Sequence, residues 1–249
     1  MILCIDSGNT RLKWGLRDGD AWLATGAISH AQAATLALPQ APNRIVACNV
    51  AGAAGSAAIE ALARRHGLAA EWVRSQATQC GVVNRYDNPD QLGADRWAAL
   101  VGARALQAGA CLVVMCGTAT TVDVLDGDGT FQGGLILPGL DMMRAALADS
   151  TADLPTARGE VRELPRNTFD AIASGAVEAT LGAIERMSRH HRRSASAVRL
   201  DTAPHNFLCL LSGGAAPALA PRLELPHRVV DNLVLEGVAR IADATAPAI

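Results

Sequence analysis

A duplication constrains this chain more than any other feature. The apolar run Ile2 to Ile5 leads into the small-residue turn Asp6-Ser7-Gly8-Asn9-Thr10, and Arg11 to Leu16 follows with strand-like alternation. In the second half, Leu112 to Met115, the turn Cys116-Gly117-Thr118-Ala119-Thr120 and the run Thr121 to Leu125 repeat that pattern. Aligned on their glycines, the copies set Gly117 opposite Gly8 and Met115 opposite Asp6. Helical spacing separates further short apolar runs from end to end, which predicts an α/β protein of two related halves, residues 1–109 and 110–249.

Further strands are expected at Ala21 to Ile28, Arg44 to Val50, Glu71 to Val73, Phe131 to Gly139 and Phe207 to Leu211. Helices are expected over Ser56 to His66, from Pro89 through Gly93 to about Ala108, near Asp141 to Ala148, from Asn167 to about Arg189, and from Asp231 to about Ala244. The loop Ser150 to Pro165, with two prolines and mixed charge, is the candidate mobile segment. Half of the 249 residues are hydrophobic but only 3% are aromatic, so the core should be aliphatic.

A net charge of -2 gives no polyanion-binding character, and no apolar run is long enough for a signal peptide or a membrane span. We expect a cytoplasmic protein without a nucleic-acid or membrane partner. The six cysteines form no Cys-x-x-Cys pair and read as small buried hydrophobes. Arg189-His190-His191-Arg192-Arg193 reads as a solvated helix end, and His30, His66, His205 and His227 lack metal-ligand spacing.

The chemistry concentrates at the glycine turns. Among the 22 basic residues Lys13 is the sole lysine, where a compact ammonium on a flexible stem suits phosphate oxygens. Gly8 lets backbone N–H groups approach an anion, and Asn9, Thr10 and Lys13 add side-chain donors. Asp6 cannot meet phosphate without repulsion, so its role there would be to hold magnesium through water. An ordinary hairpin explains the first turn alone equally well. The second turn, Gly117 to Thr121, and a third at Ser212-Gly213-Gly214 favour a nucleotide site. Asp95 falls in a first helical turn, where the helix dipole favours a carboxylate.

The ordered set of motifs resembles the type III pantothenate kinase family, within the superfamily of acetate and sugar kinases, heat-shock ATPases and actin. Its Asp-x-Gly-Asn-Thr-x-x-Lys stands at Asp6, Gly8, Asn9, Thr10 and Lys13. Tyr86, Asn88, Pro89, Gly93, Asp95 and Arg96 carry its acceptor motif. Gly117 to Thr121, Gly133 to Gly139, Asn167 with Thr168, and Gly213 with Gly214 complete it.

The resemblance implies two ribonuclease-H-like domains of the actin-like ATPase type with the nucleotide in the cleft between them. It implies ATP-dependent phosphorylation of pantothenate to 4'-phosphopantothenate, the first step of coenzyme A biosynthesis. Asp95 would be the general base. Asp6, Ser7, Gly8, Asn9, Thr10, Arg11, Leu12, Lys13 and Thr118 would bind ATP with Mg2+. Tyr86, Gly93, Ala94, Asp95, Arg96 and, across a homodimer interface, Thr168 would hold pantothenate. Thr168 fits equally well as a helix cap with Asn167. Where the family has an Asp that helps bind a monovalent cation, this chain has Met115, a poor ligand for K+ or NH4+. The alternatives are a kinase for another small hydroxylated acceptor, or an accessory regulator of gene expression on the same fold.

Overall fold

A computed structural model describes residues 1–151, 159–197 and 207–246; residues 152–158 of the Ser150 to Pro165 loop, and His205, lie outside the described residues. In chain order the elements are β1 (Ile2–Ser7), β2 (Leu12–Asp18), β3 (Ala21–Ile28), β4 (Arg44–Asn49), α1 (Gly52–Arg65), β5 (Ala70–Trp72), β6 (Thr78–Gln79), β7 (Val82–Asn84), α2 (Ala94–Leu106), β8 (Cys111–Cys116), β9 (Ala119–Leu125), β10 (Thr130–Pro138), α3 (Leu140–Ser150), α4 (Thr168–Ala197), β11 (Leu208–Ser212), α5 (Ala216–Leu219), β12 (His227–Val229) and α6 (Leu233–Ala244). They form two units. Unit 1 comprises Met1–Ala108, Gly129–Phe131 and Asn232–Ile249; unit 2 comprises Gly109–Asp128 and Gln132–Asp231. The terminal helix, expected to belong with residues 110–249, is thus part of unit 1.

The sheet of unit 1 runs β3-β2-β1-β4-β5, with β1 antiparallel to β2 and parallel to β4. In unit 2 the order β10-β9-β8-β11-β12 repeats it, with β8 antiparallel to β9 and parallel to β11. The duplicated turns are therefore the first hairpins of two copies of one topology. Within unit 1, Leu3 and Ile5 of β1, Leu12, Trp14 and Leu16 of β2, and Ile45 and Ala47 of β4 share a core with Ile59 and Leu62 of α1. Strand alternation sends Cys4, Asp6 and Cys48 to the opposite face. The buried cluster of unit 2 consists only of Leu, Ile, Val, Ala and Cys, as the low aromatic content requires.

On that opposite face of the first sheet lie α2 and α6. Glycine sets their approach: a Cβ on Gly237 would stand 1.7 Å from the Ala98 carbonyl oxygen, and one on Gly102 would stand 2.5 Å from that of Leu233. Polar ties fix α6 to the strands. Arg17 Nη1 donates to both carboxylate oxygens of Asp243 (2.9 and 2.7 Å), Trp22 Nε1 donates to Glu236 (2.7 Å), and Arg44 Nη1 donates to the Ala242 carbonyl (2.9 Å).

The structure departs from the sequence expectations in three respects. The helix expected from Pro89 is interrupted: a 3-10 turn at Pro89–Gln91, in which the Asn88 side chain accepts from Asp90 N, precedes extended Leu92, and Gly93 becomes the N-cap of α2. The short strands β6, β7 and β12 are additional, and β6 and β7 are joined through Cys80 and Gly81, both at positive φ. His191, expected to be solvated, instead stacks on Phe207 and pairs with Asp126 at 3.2 Å.

The α2–α6 crossing makes a direct prediction. Gly237→Ala should destabilise the protein by about 3 kcal/mol, since the added methyl overlaps backbone that cannot yield. Gly182→Ala, on an exposed turn of α4 where a Cβ meets nothing within 4 Å, should be neutral or stabilise by about 0.5–1 kcal/mol. Urea unfolding of both variants measures the contrast.

Candidate functional site

At the end of β1, Asp6 lies opposite Lys13 of β2 and beside Cys48 of β4. The Gly8 N–H closes the turn on the Arg11 carbonyl at 3.1 Å, and Asn9, Thr10 and Arg11 are exposed. Leu12 is fully buried in the core, so its side chain serves the fold, and only its backbone faces the turn's chemistry. Ser7 is fully buried on the α1 face, where its Oγ pairs with His30 Nε2 at 3.1 Å. There is no room for a side chain beneath it: a Cβ on Gly55 of α1 would lie 2.6 Å from Ser7 Oγ.

Asp6 itself is only 8% exposed. Burial pushes its pKa from 3.8 up to about 6; Lys13 opposes that rise, Asp95 adds to it, and the Cys48 thiol, 3.5 Å from Oδ1, opposes it. Loss of water therefore outweighs the ammonium. Asp95 is the second residue of α2, with its Oδ1 accepting from the Arg96 N–H at 2.8 Å. The predicted base and the predicted magnesium residue thus lie within electrostatic reach of each other inside unit 1.

Gly93 and Ala94 open the same helix. Arg96, 5% exposed, donates from Nη1 to Tyr86 Oη at 2.9 Å, and its guanidinium carbon lies 5.6 Å from the Tyr86 ring centre. The Tyr86 ring also packs 5.3 Å from that of Phe131. Asn84 fixes the approach: its Oδ1 accepts from Tyr86 N, and its Nδ2 donates to Ser75 Oγ and to the Pro89 carbonyl. Phe131, Asn84, Cys48 and His30 also join these residues, although no local motif marks them. Tertiary pairing alone brings them to the predicted ones.

Within unit 2 the other predicted turns converge. A Cβ on Gly213, at φ +102°, would stand 2.4 Å from the Cys116 carbonyl, and one on Gly139 would stand 2.3 Å from that of Gly117. Gly139 N donates to the Thr118 carbonyl at 2.9 Å. The hydroxyls of Thr120 and Thr121, at the start of β9, are buried without a protein hydrogen-bond partner. Thr168 is exposed at the first position of α4. The capping role falls to Asn167, whose Oδ1 accepts from Asp170 N at 2.9 Å while its Nδ2 donates to Asp170 Oδ2.

A doubled sheet of this order, with a strand–glycine turn–strand carrying a buried acid and a lysine, defines a phosphoryl-transferring protein of the sugar-kinase and actin-like fold. Two solved structures share that fold: a candidate Baf family transcriptional activator from Campylobacter jejuni (TM-score 0.62, 17% identity, 97% and 98% of the two chains) and a candidate 2-dehydro-3-deoxygalactonokinase from Sinorhizobium meliloti (TM-score 0.61, 17% identity, 100% of both). The profile of type III pantothenate kinase matches residues 2–190. Curated type III pantothenate kinases from Aromatoleum aromaticum and Dechloromonas aromatica are 54% and 48% identical to this chain. The first alignment covers all of both chains, the second 97% of this chain and 99% of the relative. The chain belongs to the type III pantothenate kinase family.

The raised Asp6 pKa carries a stability consequence with a defined sign. The folded protein holds this proton more tightly than the unfolded chain does, so Asp6 favours folding below pH 3.8 and loses that contribution as pH rises to about 6. In the absence of nucleotide and magnesium, Asp6→Asn should raise stability at pH 7 by on the order of 3 kcal/mol, and the gain should shrink toward zero near pH 4. Urea titrations at the two pH values measure it.

Proposed function

We propose that the chain transfers the γ-phosphoryl group of ATP to the hydroxyl of pantothenate, giving 4'-phosphopantothenate and opening coenzyme A biosynthesis. The observation that carries this reading is the placement of Asp95, at the start of α2, in electrostatic reach of Asp6 at the turn that also holds Lys13. The pantothenate oxygen forms a bond to the γ-phosphorus, the bond to the β,γ-bridging oxygen breaks, and the hydroxyl proton passes to the Asp95 carboxylate. In so loose a transition state, alignment matters more than base strength.

Residues Asp6 to Lys13 are assigned to ATP. Exposed Asn9 and Thr10 with the backbone N–H groups of the turn contact phosphate, and Lys13 adds charge. Thr118, on the glycine cluster of unit 2, is assigned to the same ligand. Asp6 fits a magnesium site, since a buried carboxylate raised by burial and by a second carboxylate gains from a nearby dication. Among the described residues no trio of His, Cys, Asp or Glu could hold a metal, so water and phosphate oxygens would supply its other ligands. Magnesium, when bound, neutralises phosphate charge.

Tyr86, Gly93, Ala94, Asp95 and Arg96 are assigned to pantothenate, the guanidinium of Arg96 matching its carboxylate. Thr168 is assigned to the same ligand across a homodimer. Supporting the dimer, unit 2 exposes Ile136, Leu164 and Phe169 (65, 85 and 47%), and an apolar groove of about 400 Å3 runs between α3 and α4 past Pro138, Met143, Leu147 and Ile172. Among the described residues no helix is long and apolar enough to cross a membrane. All six cysteines are free, which fits a reducing cytoplasm.

Asp95→Asn should leave folding and nucleotide affinity intact while turnover falls about 100-fold or more. Calorimetric ATP titration beside a coupled ADP-release assay separates the two, and near-normal turnover would remove Asp95 from the mechanism. Met115, paired in register with Thr121 and Ser212, offers a thioether where relatives are expected to offer a carboxylate. Exchanging K+ for Na+ at constant ionic strength should therefore change the rate by less than about twofold. A steep potassium requirement would contradict that assignment.

A further inference from the structure

Phe131 is remote in sequence from every residue assigned to pantothenate, yet the fold places its ring against two of them. The chain runs from β9 through a turn, and Gly129–Phe131 joins unit 1, where Thr130 pairs with Val83 and Phe131 with Asn84 of β7. The attachment is tight. Gly129 has φ +91°, its carbonyl accepts from Val83 N at 3.0 Å, and a Cβ there would lie 2.1 Å from the Gly81 carbonyl oxygen.

Phe131 is wholly buried. Its ring lies 5.3 Å from that of Tyr86 at a 41° tilt, and the Arg96 guanidinium carbon lies 5.9 Å from its centre and 5.6 Å from that of Tyr86. Both separations suit a cation held against aromatic rings. Without the Phe131 ring, Tyr86 and Arg96 would keep their mutual hydrogen bond but lose the aromatic surface that both side chains pack against.

We infer that Phe131 is a positioning residue for the acceptor: its ring holds the Tyr86–Arg96 pair in the one orientation that receives pantothenate, without touching the substrate itself. The inference rests on the assignment of Arg96 and Tyr86 to pantothenate. An ordered pair binds without first spending entropy on its own arrangement, so loss of the ring should weaken acceptor binding and leave the nucleotide side untouched.

Steady-state kinetics on the full chain test this. Phe131→Leu, which keeps apolar bulk without a ring, should raise the KM for pantothenate about tenfold with kcat within about threefold and the KM for ATP within about twofold. Phe131→Tyr, which keeps the ring, should stay near wild type in its KM for pantothenate. Val82→Ala, a buried truncation on β7, controls for lost packing and should leave that KM unchanged. The inference is overturned if folded Phe131→Leu keeps a wild-type KM for pantothenate, if both KM values rise together, or if Val82→Ala reproduces the effect. Should the wild-type chain fail to phosphorylate pantothenate, the proposed function falls and this inference with it, whereas the preceding outcomes overturn the inference alone.

Discussion

A carboxylate enclosed by a sheet and a helix governs unit 1. Asp6 ends β1 on the face that α2 and α6 cover, and burial there raises its pKa more than Lys13 lowers it. A fold chosen for stability alone would place an apolar residue at this position, as β1 does at Leu3 and Ile5 on its other face. The site therefore holds unrelieved negative charge beside the one lysine, with a second carboxylate, Asp95, adding to it. Such a site favours a ligand that brings cations with it, as a magnesium nucleotide does, and its cost to the empty protein is the counterpart of that preference.

The position of Asp95 is set both by its immediate neighbours and by residues far away in the chain. Gly93 caps α2 after an interrupted 3-10 turn, so the helix begins where Asp95 is its second residue. The helix axis is fixed from the other end of the sequence, by the contact of Gly237 with Ala98 and the Arg17–Asp243 pair that anchors α6. A shift of α2 by the width of a methyl group would move the carboxylate by a comparable amount, and phosphoryl transfer relies on alignment. Under the role proposed for Asp95, stability at the crossing and function at the helix start are thus one geometric problem.

What was legible in the sequence follows from the range of the interactions involved. The Asp6 to Lys13 turn could be read because a hairpin is local: alternation sets the strands, Gly8 permits the turn, and register puts Asp6 opposite Lys13. Asn167 and Thr168 marked a helix start for the same reason, although only the hydrogen bonds to Asp170 show that Asn167 takes the cap and leaves Thr168 exposed. Phe131, Cys48 and the return of α6 to unit 1 were not legible. Each depends on a pairing between distant segments, and the composition of those segments carries no trace of their partners. The strands β6 and β7 are too short for periodicity to register.

The two copies of the topology have diverged where chemistry differs and not where packing does. Both keep an apolar first strand, a glycine at the turn, and a parallel neighbour on the same side. In unit 1 the residues facing one another across the hairpin are Asp6 and Lys13, a charged pair that can meet metal and phosphate. In unit 2 the equivalent residue is Met115, paired with Thr121, and Gly139 and Gly213 bring backbone close against the turn's carbonyls. A charged copy suits phosphate and metal chemistry, and an uncharged copy suits contacts made by shape and hydrogen bonding. Duplication supplied one scaffold twice, and a handful of turn residues gave each copy a different chemical character.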